Sequence, residues 1–232
     1  MGKVEIFNFQ VTTQDIEGLT DARGDSIKTM LESDYSISVD SVRVVLGYQV
    51  KSDISDEEAG RAIYDLFADP IIEFGTLDQS LINNKKLFQK PPEIAITVGF
   101  KPGVTDNAGQ AGLDGLRTIF PHISGESQVA TTMTYLFWGI SNDISPTWLA
   151  SKLHNQMIER ASISDRVECS NSNWPKLDFP ERPVLMEQPS ATVNLEVSDE
   201  ELIEISEKGL LALNLEEMKA IQANYRLTLI HI

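Results

Sequence analysis

The stretch Lys101-Pro102-Gly103-Val104-Thr105-Asp106-Asn107-Ala108-Gly109 is the first place to look for chemistry. It joins a strand-like run, Ala95-Ile96-Thr97-Val98, to a helix-like one, the setting in which a phosphate loop forms. A phosphate loop needs a cradle of backbone N–H groups and a lysine in the pattern G-x-x-x-x-G-K-[ST], and that pattern is missing. The stretch therefore reads as a tight turn followed by a helix capped by Thr105 or Asp106. The carboxylate groups Asp56-Glu57-Glu58 and Asp199-Glu200-Glu201 resemble metal ligands in type. Each falls in the first turn of a helix, where negative charge complements the helix dipole. His122, His154 and His231 have no metal-ligand spacing. Cys169, the single cysteine, lies in Arg166-Val167-Glu168-Cys169-Ser170, which reads as a strand end with no nucleophile elbow. No G-x-S-x-G or H-E-x-x-H occurs. The residues present no complete catalytic constellation and no metal site.

The elements that carry these residues read as one unit written twice. Ser52-Asp53-Ile54-Ser55 matches Asn142-Asp143-Ile144-Ser145 at an offset of 90. The same offset lays Val4–Val11 on Ile94–Lys101 and Val42–Tyr48 on Thr132–Trp138. Thr20–Gly24 matches Thr105–Gly109 at an offset of 85, which gives the first copy about five extra loop residues. Each copy reads strand, helix, strand, helix, strand. In the first copy the strands are Val4–Val11, Val42–Val50 and Ile71–Phe74; the helices are Asp21–Ser33 and one opened by a Ser55/Glu58 capping box. That second helix carries the stripe Ala59, Ile63, Leu66, Phe67 and is stopped by Asp69-Pro70. In the second copy the strands are Glu93–Phe100, Ala130–Gly139 and Arg166–Cys169; the helices are Asp106–Phe120 and one capped by Ser145 with Pro146 at its first position. Units this short suggest an α+β sandwich, with an antiparallel sheet and helices on one face. A half of this size is marginal alone, so the two are expected to share a core as an internal pseudo-dimer.

Domain boundaries follow: 1–90 and 91–170 for the repeats, 171–197 for a proline-rich linker, 198–232 for a helical hairpin. Trp174-Pro175, Phe179-Pro180, Arg182-Pro183 and Gln188-Pro189 give the linker its stiffness, with Trp174 and Phe179 placed to pin it to the body. Ser198/Glu201 and Asn214/Glu217 are capping boxes for two helices, and Leu227–Ile232 ends the chain as an apolar, strand-like run. With 35 acidic against 19 basic residues, the net charge of −16 argues against nucleic acid and anionic membrane as partners. No apolar run approaches a membrane span, the start lacks a signal-peptide pattern, and a lone cysteine suits a reducing compartment, so a cytoplasmic location is expected.

Four stretches carry a family resemblance. Lys101-Pro102-Gly103-Val104-Thr105-Asp106-Asn107-Ala108-Gly109 is similar to the K-P-G-V-x-D-x-x-G opening of the small subunit of phosphoribosylformylglycinamidine synthase. Val42-Arg43-Val44 resembles that family's V-R-V strand, and Ala68-Asp69-Pro70-Ile71-Ile72-Glu73 resembles its A-N-P-V-I-E, with Asp69 in place of Asn. The first copy lacks K-P-G-V, and the second lacks the N-P-V-I-E element, as a fused and diverged pair would. The tail from Glu201 to Gln222 is similar to the helical linker that precedes the catalytic region of the large-type synthase.

The resemblance implies tandem ferredoxin-like, small-subunit-like repeats and a place in purine biosynthesis. The complete enzyme is an ATP-dependent glutamine amidotransferase ligase that uses ATP, Mg²⁺ and glutamine to form the amidine. Its S-E-H-C-x-H-K synthetase motif and its glutaminase Cys-His-Glu triad have no match here, so no catalytic residue carries over and no cofactor is expected in this chain. Lys101, Pro102, Gly103, Asp106, Gly109, Asp69, Pro70 and Glu73 are the motif residues, expected at an interface. The expected partners are synthetase and glutaminase subunits or domains, with self-association as a further expectation. The alternative is a stand-alone ferredoxin-like regulator that binds a small ligand.

Overall fold

A computed structural model describes residues 3–181 and 193–228. The chain divides into two compact units, residues 1–183 and 184–232. The first is a six-stranded antiparallel sheet of strand order β3-β1-β2-β5-β4-β6. Its strands are β1 (Glu5–Thr13), β2 (Ser41–Ser52), β3 (Glu73–Leu77), β4 (Ile94–Phe100), β5 (Gln128–Trp138) and β6 (Glu159–Ser164). Its helices are α1 (Ala22–Tyr35), α2 (Asp56–Ala62), α3 (Asn107–Ile119), α4 (Pro146–Leu153) and α5 (Arg166–Ser170). The fold is α+β.

Alternation along the strands sends one set of side chains to each face. Phe7, Phe9 and Val11 of β1 and Ile94, Ile96 and Val98 of β4 are buried on the face that carries α1 to α4. Two clusters fill that face, and each draws on both halves of the sequence. The first joins β1, Val50 of β2 and α2 to Leu113 and Leu116 of α3. The second joins Leu31 of α1 to β2, β4, β5 and Leu149 of α4. The opening helix of each half thus lies in the cluster built on the other half's strands.

The second face divides in two. One part is apolar, where Val45, Ala95 and Leu136 pack under Leu81, Ile82 and Phe88, with Cys169 of α5 beside them. The other part is floored by polar residues and crossed by the extended segment 173–181.

Several expectations are corrected. The closing strand of the second half is Glu159–Ser164, and Arg166–Cys169 lies in α5. Asp165 caps that helix in a capping box with Glu168, a local signal that outweighs the strand propensity of Val167. β3 begins at Glu73, and Ile71 and Ile72 sit in the turn before it. α2 runs on into a π-helical turn, Ile63–Phe67, in which the Ala68 N–H donates to the Ile63 carbonyl (2.7 Å). That turn seats Phe67 against Phe9 and Tyr48, with ring centroids 4.7 and 4.6 Å apart.

Strand equivalence also falls elsewhere than at 90. Phe7, Phe9 and Val11 pair with Val50, Tyr48 and Leu46, as Ile94, Ile96 and Val98 pair with Phe137, Tyr135 and Met133. Both sets are related by 87. An offset of 90 slips the strand by an odd number and turns its core residues to the wrong face. The Ser55 and Ser145 caps keep the offset of 90 because the chain from matched strand positions, Lys51 and Trp138, to the cap is three residues longer in the second half.

The second unit contains α6 (Asp199–Lys208) and α7 (Leu215–Thr228), packed on each other. Ser198 and Asn214 head them, each in reciprocal bonds with the glutamate three residues on. Leu202 and Met218 are buried. The expected strand-like end is helical through Thr228, and its last four residues lie outside those described, as does most of the 171–197 linker beyond Glu181.

Because Leu116 belongs to the second half and packs with the first half's strands, Leu116→Ala is expected to cost about 2–5 kcal/mol. Hydrogen exchange should then accelerate in β1 as well as in α3. Protection of β1 unchanged from wild type would show that the halves unfold separately.

Candidate functional site

The motif residues gather at two loops that share one hydrogen-bonding plan. Asp106 caps α3: its carboxylate accepts from the Gly109 N–H (2.7 Å), the Thr131 N–H (2.6 Å) and the Thr131 hydroxyl (2.9 Å). Asp21 does the same for α1, accepting from the Gly24 N–H (3.2 Å) and the Val44 N–H (2.6 Å). Each aspartate therefore bolts a helix start to the next strand. The bolt requires close approach: a Cβ on Gly24 would lie 2.1 Å from the Val42 carbonyl oxygen, and one on Gly109 2.5 Å from that of Val129. Glycine is the residue that permits this spacing.

Asp69, Pro70 and Glu73 form the turn before β3. The Asp69 carboxylate accepts from the Ile71 N–H (2.8 Å), and the Glu73 carboxylate accepts from the Asp69 N–H (3.0 Å). Asn155-Gln156-Met157-Ile158-Glu159 builds the same turn before β6. The Asn155 side chain accepts from the Met157 N–H (3.0 Å), and Glu159 from the Asn155 N–H (2.6 Å). The second half thus keeps the element that the sequence reading finds missing. Only Ile and Glu are shared, with Asn155 standing where the first turn has Asp69, so the signal was the spacing [DN]-x-x-I-E without its proline.

Lys101 completes the plan. Its amine donates to the Gln156 carbonyl (2.6 Å), and its backbone N–H to the Ile158 carbonyl (2.9 Å). At the matching place Gln14 donates from its side chain to the carbonyls of Pro70 (3.1 Å) and Glu73 (2.9 Å), and from its backbone to Ile72 (2.9 Å). The connection from Gln14 to Asp21 is two residues longer than that from Lys101 to Asp106, not five. Pro102 and Gly103, the latter at φ +86°, form the turn between Lys101 and Asp106. These residues shape loops.

Each turn projects two aliphatic side chains into solvent. Ile71 is 76% exposed and Met157 83%; Ile72 and Ile158 behind them are 44% and 41% exposed. Behind each turn a tyrosine, Tyr48 partly buried and Tyr135 buried, lies within reach of the charge of its glutamate. Burial raises the pKa of Tyr48, reinforced by the Glu73 charge, and burial raises that of Tyr135, reinforced by Glu159.

A second feature encloses a cavity that was not legible in the sequence. The segment 173–181 crosses the polar part of the second face. The Trp174 indole N–H donates to the Asn83 side chain (2.8 Å), Thr97 to the Pro175 carbonyl (3.2 Å), and Gln49 to the Leu177 carbonyl (2.9 Å). Arg160 donates to the Asp178 carbonyl, and Lys51 pairs with Glu181 (2.7 Å) and lies over the Phe179 ring. Trp174 and Phe179 thus do hold the segment down. Between it, the sheet and residues 78–82 lies a cavity of about 260 Å³.

Cys169 is 1% exposed and its thiol donates to the Ser164 carbonyl. Burial pushes its pKa up to about 11, against a nucleophilic role. Among the described residues no group of three or more His, Cys, Asp and Glu could hold a metal ion, and no helix is long and apolar enough to cross a membrane. No protein-family model matches the chain, and no curated protein matches its sequence.

Two tests follow from this geometry. Lys101→Gln should leave the 155–159 turn intact, within about 0.5 kcal/mol, since Gln14 performs the same task. Lys101→Met should cost roughly 0.5–1.5 kcal/mol and speed amide exchange at Glu159. Equal behaviour of the two variants in urea unfolding and exchange would refute the shared plan. The thiol gives a pH test. Its folded pKa lies above its ordinary 9.0, so the folded state holds the proton more tightly. Its contribution is intact below about pH 9 and declines as pH rises toward 11. Wild type should lose more stability over that window than Cys169→Ala does, measured by urea unfolding at fixed pH values.

Proposed function

We propose that the chain is a non-catalytic subunit, or an N-terminal region, of a phosphoribosylformylglycinamidine synthase-type ligase, which organises synthetase and glutaminase parts. In this reading the two halves are small-subunit-like, ferredoxin-like repeats joined as a pseudo-dimer, and the α6–α7 hairpin is the linker toward the catalytic region. ATP, Mg²⁺ and glutamine chemistry then belongs to the partner chains, in the cytoplasm.

The observation that carries the reading is the pair of matching turns. Exposed aliphatic residues are a recognition feature when they are held rigid. Ile71 with Ile72 and Met157 with Ile158 are held so, each by an Asx-type turn, a glutamate clamp and a side chain that follows the first strand of its half, Gln14 after β1 or Lys101 after β4. Three of the motif residues that resemble the family, Asp69, Glu73 and Lys101, help build these clamps. Their role in this reading is to present the tips, with no part in bond making.

The test mixes the purified chain with matching synthetase and glutaminase chains that lack this region. Association by light scattering and higher glutamine-dependent amidine formation are expected. The double variant Ile71→Asp/Met157→Asp should lose both while its unfolding midpoint stays near wild type, since the tips are exposed. A chain that elutes alone and leaves turnover unchanged would sink the proposal, as would turnover by this chain alone with ATP, Mg²⁺, glutamine and formylglycinamide ribonucleotide.

A further inference from the structure

The second face of the sheet is covered throughout its middle, yet it changes composition halfway. Under Leu81, Ile82 and Phe88 its residues are Val45, Ala95 and Leu136, and the contact is apolar. Under the segment 174–177 the same strands present Gln49, Thr97, Thr132 and Thr134, joined by Gln10 of β1, and the contact encloses space. A cover that served packing alone would continue the apolar surface, because buried polar groups are costly unless bonded. Two groups there are not bonded. Gln49 Oε1 and Ser80 Oγ are buried without a hydrogen-bond partner among the described residues. Gln49 is held in orientation by its own N–H donation to the Leu177 carbonyl, so its oxygen is left to accept from whatever enters. Native structures seldom leave such groups unmet.

The charges define the occupant further. The lining contains one carboxylate, Asp78, and one ammonium, Lys176, and neither has an ion-pair partner among the described residues. One oxygen of Asp78 accepts from the Asn8 N–H (2.9 Å) and the Asn8 side-chain amide (3.1 Å), which leaves the other oxygen open. A phosphate-bearing ligand needs several cations, and this lining supplies one. A volume of about 260 Å³ falls below the range of about 300–1,000 Å³ typical of sites for drug-sized ligands. We propose that the cavity binds a free α-amino acid with an uncharged polar side chain. Asp78 receives its ammonium group, Lys176 its carboxylate, and Gln49 and Ser80 its side chain. This site is independent of the docking reading above, which rests on the two turns at the sheet ends.

The test is calorimetry and thermal unfolding of the full-length chain with glutamine, asparagine, serine and threonine in turn, and with leucine as the apolar control. One polar amino acid should bind with a stoichiometry near one and raise the melting temperature, while leucine does neither. Asp78→Asn is the first variant. Asp78 has φ +52°, which asparagine tolerates, and the oxygen that meets Asn8 is retained, so the fold should persist. It should weaken binding about tenfold or more. Ser80→Ala, on the opposite demand, should weaken the polar ligands alone. No binding by any of the four at millimolar concentration overturns the proposal, as does binding that both variants leave unchanged.

Discussion

The pairing of β2 with β5 is the constraint on which the rest of the first unit depends. It runs from Ser41 opposite Trp138 to Lys51 opposite Gln128, the longest ladder in the sheet. Without it each half is a three-stranded sheet with one long bare edge, exposed to pairing with any other strand. With it, the two strand triplets become a single surface broad enough for helices to cross the seam. The consequence for energetics is that neither half has a core of its own. Leu113 and Leu116 complete the cluster around Phe9, and Leu31 lies in the cluster with Ile96 and Phe137.

A second level of order rests on that ladder. The loops at the ends of β1 and β4 are long and carry few apolar residues, so hydrogen bonds must hold them. Asp21 and Asp106 reach from a helix start to a neighbouring strand, and Gln14 and Lys101 reach to a turn on the outer strand. The chemistry differs at three of the matched places: Gln against Lys, Asp against Asn, and Pro against Gln. The bonds survive because each pair shares a donor or an acceptor at the same reach. Residue identity is a poor guide to such loops, and hydrogen-bonding role a good one.

The legibility of the sequence divides along the same line. Local signals were sound. The Ser55/Glu58 and Ser198/Glu201 capping boxes open the helices expected of them, and the alternation of Met133, Tyr135 and Phe137 marks β5. The α+β class and the antiparallel sheet followed from the order of elements. Register did not, because an offset read from Asp53 and Asp143 belongs to the helix caps and shifts by three in the strands. β6 was missed because Ala161 and Ile163 are its only apolar pair, while Arg166–Cys169 looked the better strand. The cavity was invisible because its floor, wall and cover lie in segments far apart in sequence, and no periodicity connects Gln49 to Ser80 or Trp174.

The extended segment 173–181 has a bearing on how the molecule is made. Its anchors are Gln49 and Lys51 on β2, Thr97 on β4 and Arg160 on β6, together with Asn83 in the connection after β3. These positions come together only when the sheet is assembled from centre to edge. Chains emerge from the ribosome N-terminus first, at about 5–20 residues per second, so this segment appears after every strand it touches. It offers no strand for the growing sheet to pair with, and its carbonyls find donors only on a finished surface. The segment is therefore placed to settle on the sheet only after the strands it contacts have paired.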